Sequence, residues 1–80
     1  MEDTFLGTVD GIDVHALEGQ PVRCFAILNS PGRDPFQIVA YEPRLQSALQ
    51  LASAKKCEVE VSFKDDGTLK VAIRARLLDR

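Results

Sequence analysis

Apolar positions follow a helical period between Glu42 and Cys57. By the i, i+3, i+4, i+7 spacing, the apolar stripe of this segment consists of Leu45, Ala48, Leu49 and Ala52. Pro43 suits the first turn of a helix, where its missing N–H leaves no hydrogen bond unmade. No glycine follows the stripe, so we expect the helix to end where the period changes at Cys57. The spacing therefore predicts one amphipathic helix from Pro43 to Lys56.

After the helix, apolar and polar residues alternate, which is the period of a strand with one buried face. The apolar positions are Cys57, Val59, Val61 and Phe63 in a first strand and Leu69, Val71, Ile73, Ala75 and Leu77 in a second strand. A three-residue loop at 65–67, with its glycine left-handed, would set Phe63 opposite Leu69 and keep the apolar faces together. The same register predicts an outer-face pair of Glu58 and Arg74.

The segment from Thr4 to Leu17 also alternates, and it allows two interpretations. Asp10-Gly11 lies between apolar residues and is typical of a tight β-hairpin turn. A turn there would set Val9 opposite Ile12. The alternative is one long strand that bends at a glycine, as strands do at bulges. The sequence alone leaves both interpretations open.

Two more strands and the longest loop lie before the helix. Val22–Leu28 is almost wholly apolar, with Arg23 as its one charged residue, so we expect both faces of this strand to be covered. Phe36–Tyr41 alternates like a half-buried strand. The connection over residues 29–35 contains Pro31-Gly32, which favours a type II turn.

The predicted elements run strand, strand, strand, helix, strand, strand, with an additional N-terminal arm if the first hairpin forms. We therefore expect a mainly β protein with one helix (α+β), in a single domain over residues 1–80. Its architecture would be a small five- or six-stranded antiparallel barrel with the helix between the third and fourth barrel strands. From Ile12 to Leu77 this order resembles the OB-fold, a small barrel whose members bind oligonucleotides or oligosaccharides.

A second resemblance concerns the helix and the strand after it. The layout of Leu45–Lys56 running into Cys57–Phe63 is similar to that of the B subunits of bacterial AB5 toxins. That resemblance implies a pentamer with its helices around a central pore, and those families are secreted, disulfide-bonded and sugar-binding. This chain departs from them because it has no Trp to stack on a sugar ring, and no binding residue is carried over.

Composition and charge narrow the classes of partner and compartment. The chain has 80 residues, 45% of them hydrophobic, and a net charge of −2, which argues against nucleic acid as the default partner. The acidic N-terminus lacks the basic and then apolar pattern of a signal peptide, and no apolar run is long enough for a membrane span. We therefore expect a cytoplasmic protein that does not act at a membrane.

Candidate chemistry is sparse. Cys24 and Cys57 both lie at apolar strand positions, so free buried thiols are expected, and a disulfide between neighbouring strands is the alternative. His15 is the one histidine, and Asp13 two positions earlier could orient it. The sequence shows no phosphate-binding loop and no metal-ligand spacing. We therefore predict no enzymatic activity, no catalytic residue, no metal and no cofactor.

The candidate contacts for a ligand or partner are Arg23, Arg33, Tyr41 and Arg44. Arg33 is at the tip of the loop over residues 29–35, and loops often carry function. If Phe25 and Tyr41 are exposed near these arginines, the face would suit single-stranded nucleic acid. The last strand is predicted to place Lys70, Arg74 and Arg76 on one face, which is either solvated or binds phosphate or acidic groups.

The helix face opposite the apolar stripe has no charge, unlike the face of most solvated helices. The residues of this face are Gln46, Ser47, Gln50, Ser53 and Ala54. We interpret this face as a candidate subunit interface, and a merely polar surface is the alternative.

These features favour a non-enzymatic small β-barrel that acts as a protein-interaction or self-assembly module. The partner would be a second copy of the chain or another protein. The alternative is an OB-like domain that binds an oligonucleotide or oligosaccharide through residues 29–35 and the neighbouring sheet.

Overall fold

A computed structural model describes residues 2–78 of the chain. In chain order the elements are β1 (Glu2–His15), β2 (Arg23–Asn29), β3 (Phe36–Ala40), α1 (Pro43–Lys55), β4 (Glu58–Asp65) and β5 (Lys70–Leu78). The N-terminal segment is one long strand, so the second of the two interpretations left open by the sequence is the correct one. The helix lies between the third and fourth strands, as predicted.

The five strands close into a barrel in the order β1-β2-β3-β5-β4, and β4 bonds back to β1. Neighbouring strands are antiparallel except β3 and β5, which are parallel and pair at Val39 and Val71. This arrangement confirms the small five-stranded barrel with one helix and corrects the expectation of a wholly antiparallel sheet. It is compatible with an OB-like small barrel.

Strand β1 is long because it pairs with two different strands. Its first part, Glu2 to Gly7, pairs with β4, and its second part, Thr8 to His15, pairs with β2. The register with β2 shifts between Val9 and Gly11, so Asp10 is an extra, bulged residue. A bulge bends a strand and increases its twist, which lets one strand turn the corner of a small barrel. The Asp10-Gly11 dipeptide therefore marks a bend and not a turn.

The hydrophobic core fills the barrel and the space beneath α1. It consists of Phe5, Val9, Cys24, Ala26, Leu28, Ile38, Ala40, Leu45, Leu49, Ala52, Val59, Val61, Phe63 and Ala72. The predicted helix stripe is confirmed at Leu45, Leu49 and Ala52, while Ala48 is half-buried. The alternating apolar positions of β4 are also buried, as their period predicts.

Local chemistry explains both ends of α1. Glu42 is extended, with φ −83°, and Pro43 occupies the first turn. At the other end Lys56 adopts the left-handed conformation, with φ 55°. The backbone N–H groups of Lys56 and Cys57 donate to the carbonyl oxygens of Ser53 and Ala52, both at 3.3 Å. The helix therefore ends in a reversal of the kind that usually uses glycine, made here by a lysine.

The predicted register of the β4–β5 hairpin is wrong. Asp65 pairs with Lys70, so the loop has four residues, 66–69, and Phe63 faces Ala72 instead of Leu69. The register then shifts past Ile73, with the result that Glu58 lies opposite Leu78 and not opposite Arg74. The glycine of the loop is left-handed, with φ 92°, as predicted.

The wider loop is held by an aspartate side chain. Asp66 Oδ1 accepts hydrogen bonds from the backbone N–H of Leu69 at 2.7 Å and of Thr68 at 2.8 Å. Asp65 Oδ1 accepts one from Gly67 N–H at 2.9 Å. These bonds stabilise a loop of four residues, one residue longer than the loop that the alternation of the two strands predicted. The bulge at Ile73 then restores the apolar side of β5 to the core.

That bulge also divides the basic residues of β5. Lys70 lies on the same side of the strand as the buried Ala72, whereas Arg74 and Arg76 point to the outer face opposite Ser62 and Glu60. The prediction that Lys70 shares a face with the two arginines is therefore wrong. The Lys70 ammonium instead lies 5.7 Å from the centroid of the Phe36 ring and 3.3 Å from Asp65 Oδ2.

Candidate functional site

The outer face of β2 is more exposed than its apolar sequence predicts. Cys24, Ala26 and Leu28 are fully buried, so the alternate residues point away from the core. Phe25 is half-buried, and Ile27 is 37% exposed. We expected the second face to lie under the helix or a partner, and the structure excludes the helix, so cover by a partner stays a prediction. The helix does not cover the outer face because α1 packs chiefly against β1 and β5.

Neighbouring strands extend this surface, which we call the sheet face. Its residues are Asp13, His15, Arg23, Phe25, Ile27, Gln37 and Leu69, while Val39, on the same side of β3 as Gln37, is buried. Across the strands, Phe25 lies between Asp13 and Val39, and Ile27 lies between Gly11 and Gln37. The surface therefore has an apolar centre with charged residues toward one end.

Two shallow depressions adjoin on the sheet face. One, of about 220 Å³, has Val39 and Leu69 among its lining residues, and the other, of about 320 Å³, has Gly11 and Ile27. Phe25 and Gln37 line both depressions. The surface is thus continuous from β1 across β2 and β3 to the β4–β5 loop.

The β4–β5 loop presents Leu69, which is 40% exposed, at the edge of the sheet face. Hydrogen bonds from the backbone N–H groups of Leu69 and Thr68 hold the pKa of the Asp66 carboxyl below its usual value. The N–H of Gly67, and then the Lys70 side chain, lower the pKa of Asp65 in the same way. Ionised carboxylates therefore order this loop at neutral pH.

His15 forms a small polar cluster beside Phe25. Its Nε2 atom lies 2.8 Å from Asp13 Oδ2, and its ring meets the Phe25 ring edge-on at 5.1 Å between centroids. Asp13 can therefore orient the imidazole, as the sequence suggested. Cys24 is inside the barrel, where burial, and then the charge of Asp13, raise the pKa of its thiol. Cys24 points into the core and His15 lies on the outer face of the sheet, so the two residues do not form a thiolate–imidazole pair.

A second concave surface lies on another part of the barrel, and we call it the arginine cleft. Its volume is about 750 Å³. It is lined by Thr4, Glu42, Arg44, Leu45, Glu60, Ser62, Ile73, Arg74, Ala75 and Arg76. Residues from β1, β4, β5 and the start of α1 therefore meet in one cavity.

Two of the three arginines of this cleft form ion pairs, a close one at Arg74 and a longer one at Arg76. Arg74 pairs with Glu2, and Arg76 Nη2 lies 3.6 Å from Glu60 Oε1. Both arginine side chains are 71% exposed, so water screens these pairs and each contributes little to stability. Arg44 makes no ion pair with any residue between Glu2 and Leu78.

The four predicted contact residues do not share one surface. Arg23 is on the sheet face, Tyr41 is 39% exposed just after β3, and Arg44 lines the arginine cleft. Arg33 is at the other end of β2 and β3, a strand length of about 20 Å away. Its guanidinium carbon lies 5.5 Å and 5.7 Å from the ring centroids of Phe36 and Phe5.

The predicted interface residues of the helix also differ in their surroundings. Gln46 Nε2 donates to the carbonyl oxygens of Val22 at 2.8 Å and Ala40 at 2.9 Å, so this side chain links α1 to the residue before β2 and to the end of β3. Ser47 and Gln50 are exposed, and Ser53 is half-buried. A subunit contact through this face stays a prediction.

Sequence reasoning missed how the arginine cleft is assembled. The i, i+2 spacing of Arg74 and Arg76 indicated a shared strand face, but nothing in the sequence placed Arg44 beside them. Ser62 and Thr4, which are directly opposite each other on β4 and β1, were also missed. On the sheet face, the missed residues are Ile27, Gln37 and Leu69, which stood at ordinary apolar or polar strand positions.

Comparison with protein-family models finds no matching family, and comparison with curated proteins finds no matching sequence. Nothing in these comparisons supports the resemblance to toxin B subunits. Over residues 2–78, no three His, Cys, Asp or Glu side chains are grouped so that they could hold a metal ion. Within the same residues, α1 is too short and too polar to cross a membrane. The fold is that of a small β-barrel, consistent with a binding or interaction module.

Proposed function

We propose that this protein is a non-enzymatic interaction module, and that a protein partner covers its sheet face. The observation that supports this proposal is the exposed apolar centre at Phe25 and Ile27. Folding buries the alternate residues of β2 completely, so the barrel itself does not need apolar side chains on the outside. An apolar surface of this kind is typical of a protein–protein contact.

The distribution of polarity on the sheet face also fits such a contact. Phe25, Ile27 and Gln37 are uncharged and occupy the centre, while Asp13 and Arg23 lie toward one end. Protein interfaces commonly combine an apolar core with a polar rim. The depressions beside Phe25 offer concave surface into which apolar side chains of a partner would pack.

We propose a second copy of the chain as the partner. A two-fold contact sets the same surface against itself, so it requires a self-complementary patch. The sheet face meets that requirement because its apolar centre can pack on itself and its rim bears both an acid, Asp13, and a base, Arg23. In a chain of this size, association also supplements a small hydrophobic core.

Sedimentation velocity from low micromolar to millimolar protein tests this proposal. The wild type should form a discrete dimer, and Ile27→Lys should dissociate it because a charge would enter the apolar centre. Gln50→Lys is the matched control, since it adds the same charge to the exposed helix face. The dimer should also be insensitive to reductant, because Cys24 and Cys57 are free.

Other outcomes would redirect or remove the proposal. Dissociation by Gln50→Lys and not by Ile27→Lys would move the interface to the helix face. A wild type that stays monomeric at millimolar concentration would remove self-association. A partner would then have to be another protein, and loss of its binding on Ile27→Lys would be the remaining support.

The second candidate function is binding of an oligonucleotide or oligosaccharide. Phe25 and Arg23 lie on the outer face of the second strand, with His15 of β1 beside them, and OB-fold proteins bind such ligands on the face of their second and third strands. Binding of a fluorescent single strand that weakens with salt and is lost in Arg23→Ala would support it. Because Arg33 is at the far end of the barrel, Arg33→Ala tests whether the loop over residues 29–35 also takes part. No binding at low salt would contradict the nucleic-acid version.

We also infer a reducing compartment such as the cytoplasm. The support is that Cys24 and Cys57 are both free thiols, with Cys24 buried in the core. Small proteins of oxidising compartments commonly use their cysteines in disulfides. Localisation of a tagged full-length protein in its own cell tests this inference, and recovery from a secreted or periplasmic fraction would overturn it.

A further inference from the structure

The arginine cleft is a cavity that the proposed interaction function does not use. Its lining residues belong to β1, β4, β5 and the first turn of α1, and none of them belongs to the sheet face. Its volume of about 750 Å³ lies within the range of small-molecule sites in proteins. The cleft can therefore be occupied while the sheet face is covered.

Arginine residues of two different elements line this cleft. Arg44 comes from the first turn of α1, whereas Arg74 and Arg76 come from the outer face of β5. Arginine presents several N–H donors in a planar fork, which suits the oxygens of phosphate and carboxylate groups. Arg44 has no ion pair among the described residues, so its donors are available.

Two hydroxyl groups add neutral donors to the same cavity. Thr4 and Ser62 are a cross-strand pair, and Ser62 lies opposite Arg74 on its other side. Donors therefore line the cavity from β1, β4, β5 and α1. A tetrahedral phosphate accepts hydrogen bonds from several directions at once, whereas a planar carboxylate accepts them mainly in one plane. This arrangement of donors favours phosphate over carboxylate.

An anionic ligand would compete with carboxylates for the arginines of the cavity. The three arginines that line it are balanced by three glutamates, because Glu2 pairs with Arg74 in addition to the lining residues Glu42 and Glu60. The contact of Arg76 with Glu60 is long and exposed, so an incoming anion can replace Glu60 as the partner of Arg76 with little loss of free energy.

We propose that the arginine cleft binds a small, nucleotide-sized molecule through a phosphate group held by Arg44, Arg74 and Arg76. Leu45, Ile73 and Ala75 supply an apolar wall for the part of the ligand that bears no charge. The site is separate from the sheet face, so this proposal does not depend on the proposed interaction function.

Titration of the full chain with ADP, followed by amide NMR and calorimetry, tests this site. ADP should shift the amide signals of Arg44, Ser62 and Arg74 and leave those of Phe25 and Ile27 in place. Adenosine, which lacks phosphate, and succinate, a dicarboxylate of similar charge, should each bind at least tenfold more weakly than ADP. Arg44→Gln and Arg76→Gln should each weaken ADP binding about tenfold, the usual effect of losing a charge-assisted hydrogen bond.

Control variants separate recognition from general charge. Lys64→Gln removes one positive charge from the same outer face of β4, beside the cleft but outside its lining, and should change ADP affinity less than threefold. Arg44→Lys keeps the charge but loses the fork, so its affinity should lie between those of wild type and Arg44→Gln. The exposure of these side chains makes unfolding of the variants unexpected, and circular dichroism checks it.

Three results would overturn the proposal. The first is an absence of shifts in cleft residues at millimolar ADP. The second is equal binding of ADP, adenosine and succinate. The third is a loss of affinity in Lys64→Gln as large as that in Arg76→Gln. The Ile27→Lys variant should lose self-association but bind ADP normally. Measuring both properties on the same variants therefore distinguishes a failure of the sheet-face proposal from a failure of this one.

Discussion

The sheet face and the arginine cleft are two outer surfaces of one barrel, and they differ in chemistry. The sheet face has an apolar centre at Phe25 and Ile27, whereas the cleft has three arginines, two glutamates and two hydroxyl groups. Both include outer strand positions that alternate with core residues, and the start of α1 adds to the cleft while the β4–β5 loop adds to the sheet face. Core positions are constrained by packing, but outer positions are not. The fold therefore does not by itself require the difference between the two surfaces, and we propose that it reflects different partners.

Strand β1 connects the two surfaces. Up to Gly7 it pairs with β4 and contributes Thr4 to the arginine cleft, and from Thr8 onward it pairs with β2 and contributes Asp13 to the sheet face. A change near the crossing point should disturb both surfaces, whereas a change within one surface should leave the other intact. The following variants use that distinction, from the largest expected effect to the smallest.

Gly7→Ala should damage both surfaces because it disturbs the packing of β1. A Cβ atom at Gly7 would lie 2.3 Å from the backbone oxygen of Asn29 and 2.5 Å from a ring carbon of Phe5. The backbone would have to shift, and we expect a loss of about 2–3 kcal/mol in the free energy of unfolding. Urea denaturation measures it.

Gly11→Ala is the control within the same strand. A Cβ atom there would meet only side-chain atoms of Ile27, the nearest at 3.7 Å, which is ordinary contact. The substitution should stabilise the protein by about 0.5 kcal/mol, because alanine restricts the unfolded chain. Equal destabilisation by both variants would contradict the close approach at Gly7.

Asp66→Ala should affect the sheet face alone. It removes the acceptor for the N–H groups of Leu69 and Thr68, so the loop that presents Leu69 becomes less ordered. We expect severalfold weaker self-association by sedimentation and unchanged ADP binding in the cleft. A matched loss of both activities would show that the loop supports the whole barrel.

The loop also has a predicted pH dependence. The pKa of Asp66 is lowered in the folded protein, so its support is fully present above the ordinary pKa of an aspartic acid, about 3.9. The support is lost as the pH falls through the lowered folded value. The amide signals of Leu69 and Thr68 should therefore be constant from neutral pH down to about 4 and should move only below it. Movement between pH 5 and 7 would contradict this assignment.

Glu60→Gln should have the smallest effect, and only on the arginine cleft. The long, exposed contact with Arg76 contributes at most about 0.5 kcal/mol, so stability should hardly change. Removing the acid should raise ADP affinity about two- to threefold, because Arg76 no longer has a competing partner. Calorimetry measures the affinity, and weaker binding in Glu60→Gln would contradict this role of Glu60.

Elements with a local cause were predictable from the sequence. The helix follows from the spacing of Leu45, Leu49 and Ala52 and from Pro43 at its start. The buried side of β4 follows from simple alternation. The order of elements predicted a five- or six-stranded barrel with the helix between the third and fourth strands. The helix and the alternation of β4 each depend on residues a few positions apart.

Features that depend on distant partners were not predictable. Asp10-Gly11 has the local chemistry of a turn, but pairing of β1 with both β2 and β4 makes it a bulge. Simple parity predicted the wrong hairpin register, because the Asp66 side chain closes a wider loop and the bulge at Ile73 compensates for it. In both cases the hydrogen bonds of the folded barrel outweigh a local preference.

The sequence by itself determined the helical and strand periods of the apolar residues, and therefore which residues of each element share an apolar face. Tertiary structure alone decided which outer positions meet. Arg44 and Arg74 are 30 residues apart, and they line one cleft only because the start of α1 lies beside β5. Arg23 and Arg33 are close in sequence but lie at opposite ends of the barrel, because β2 separates them. The physical reason is that the alternation of side chains follows from the backbone of one strand. Which outer residues meet on one surface follows instead from how the strands and the helix pack when the barrel closes.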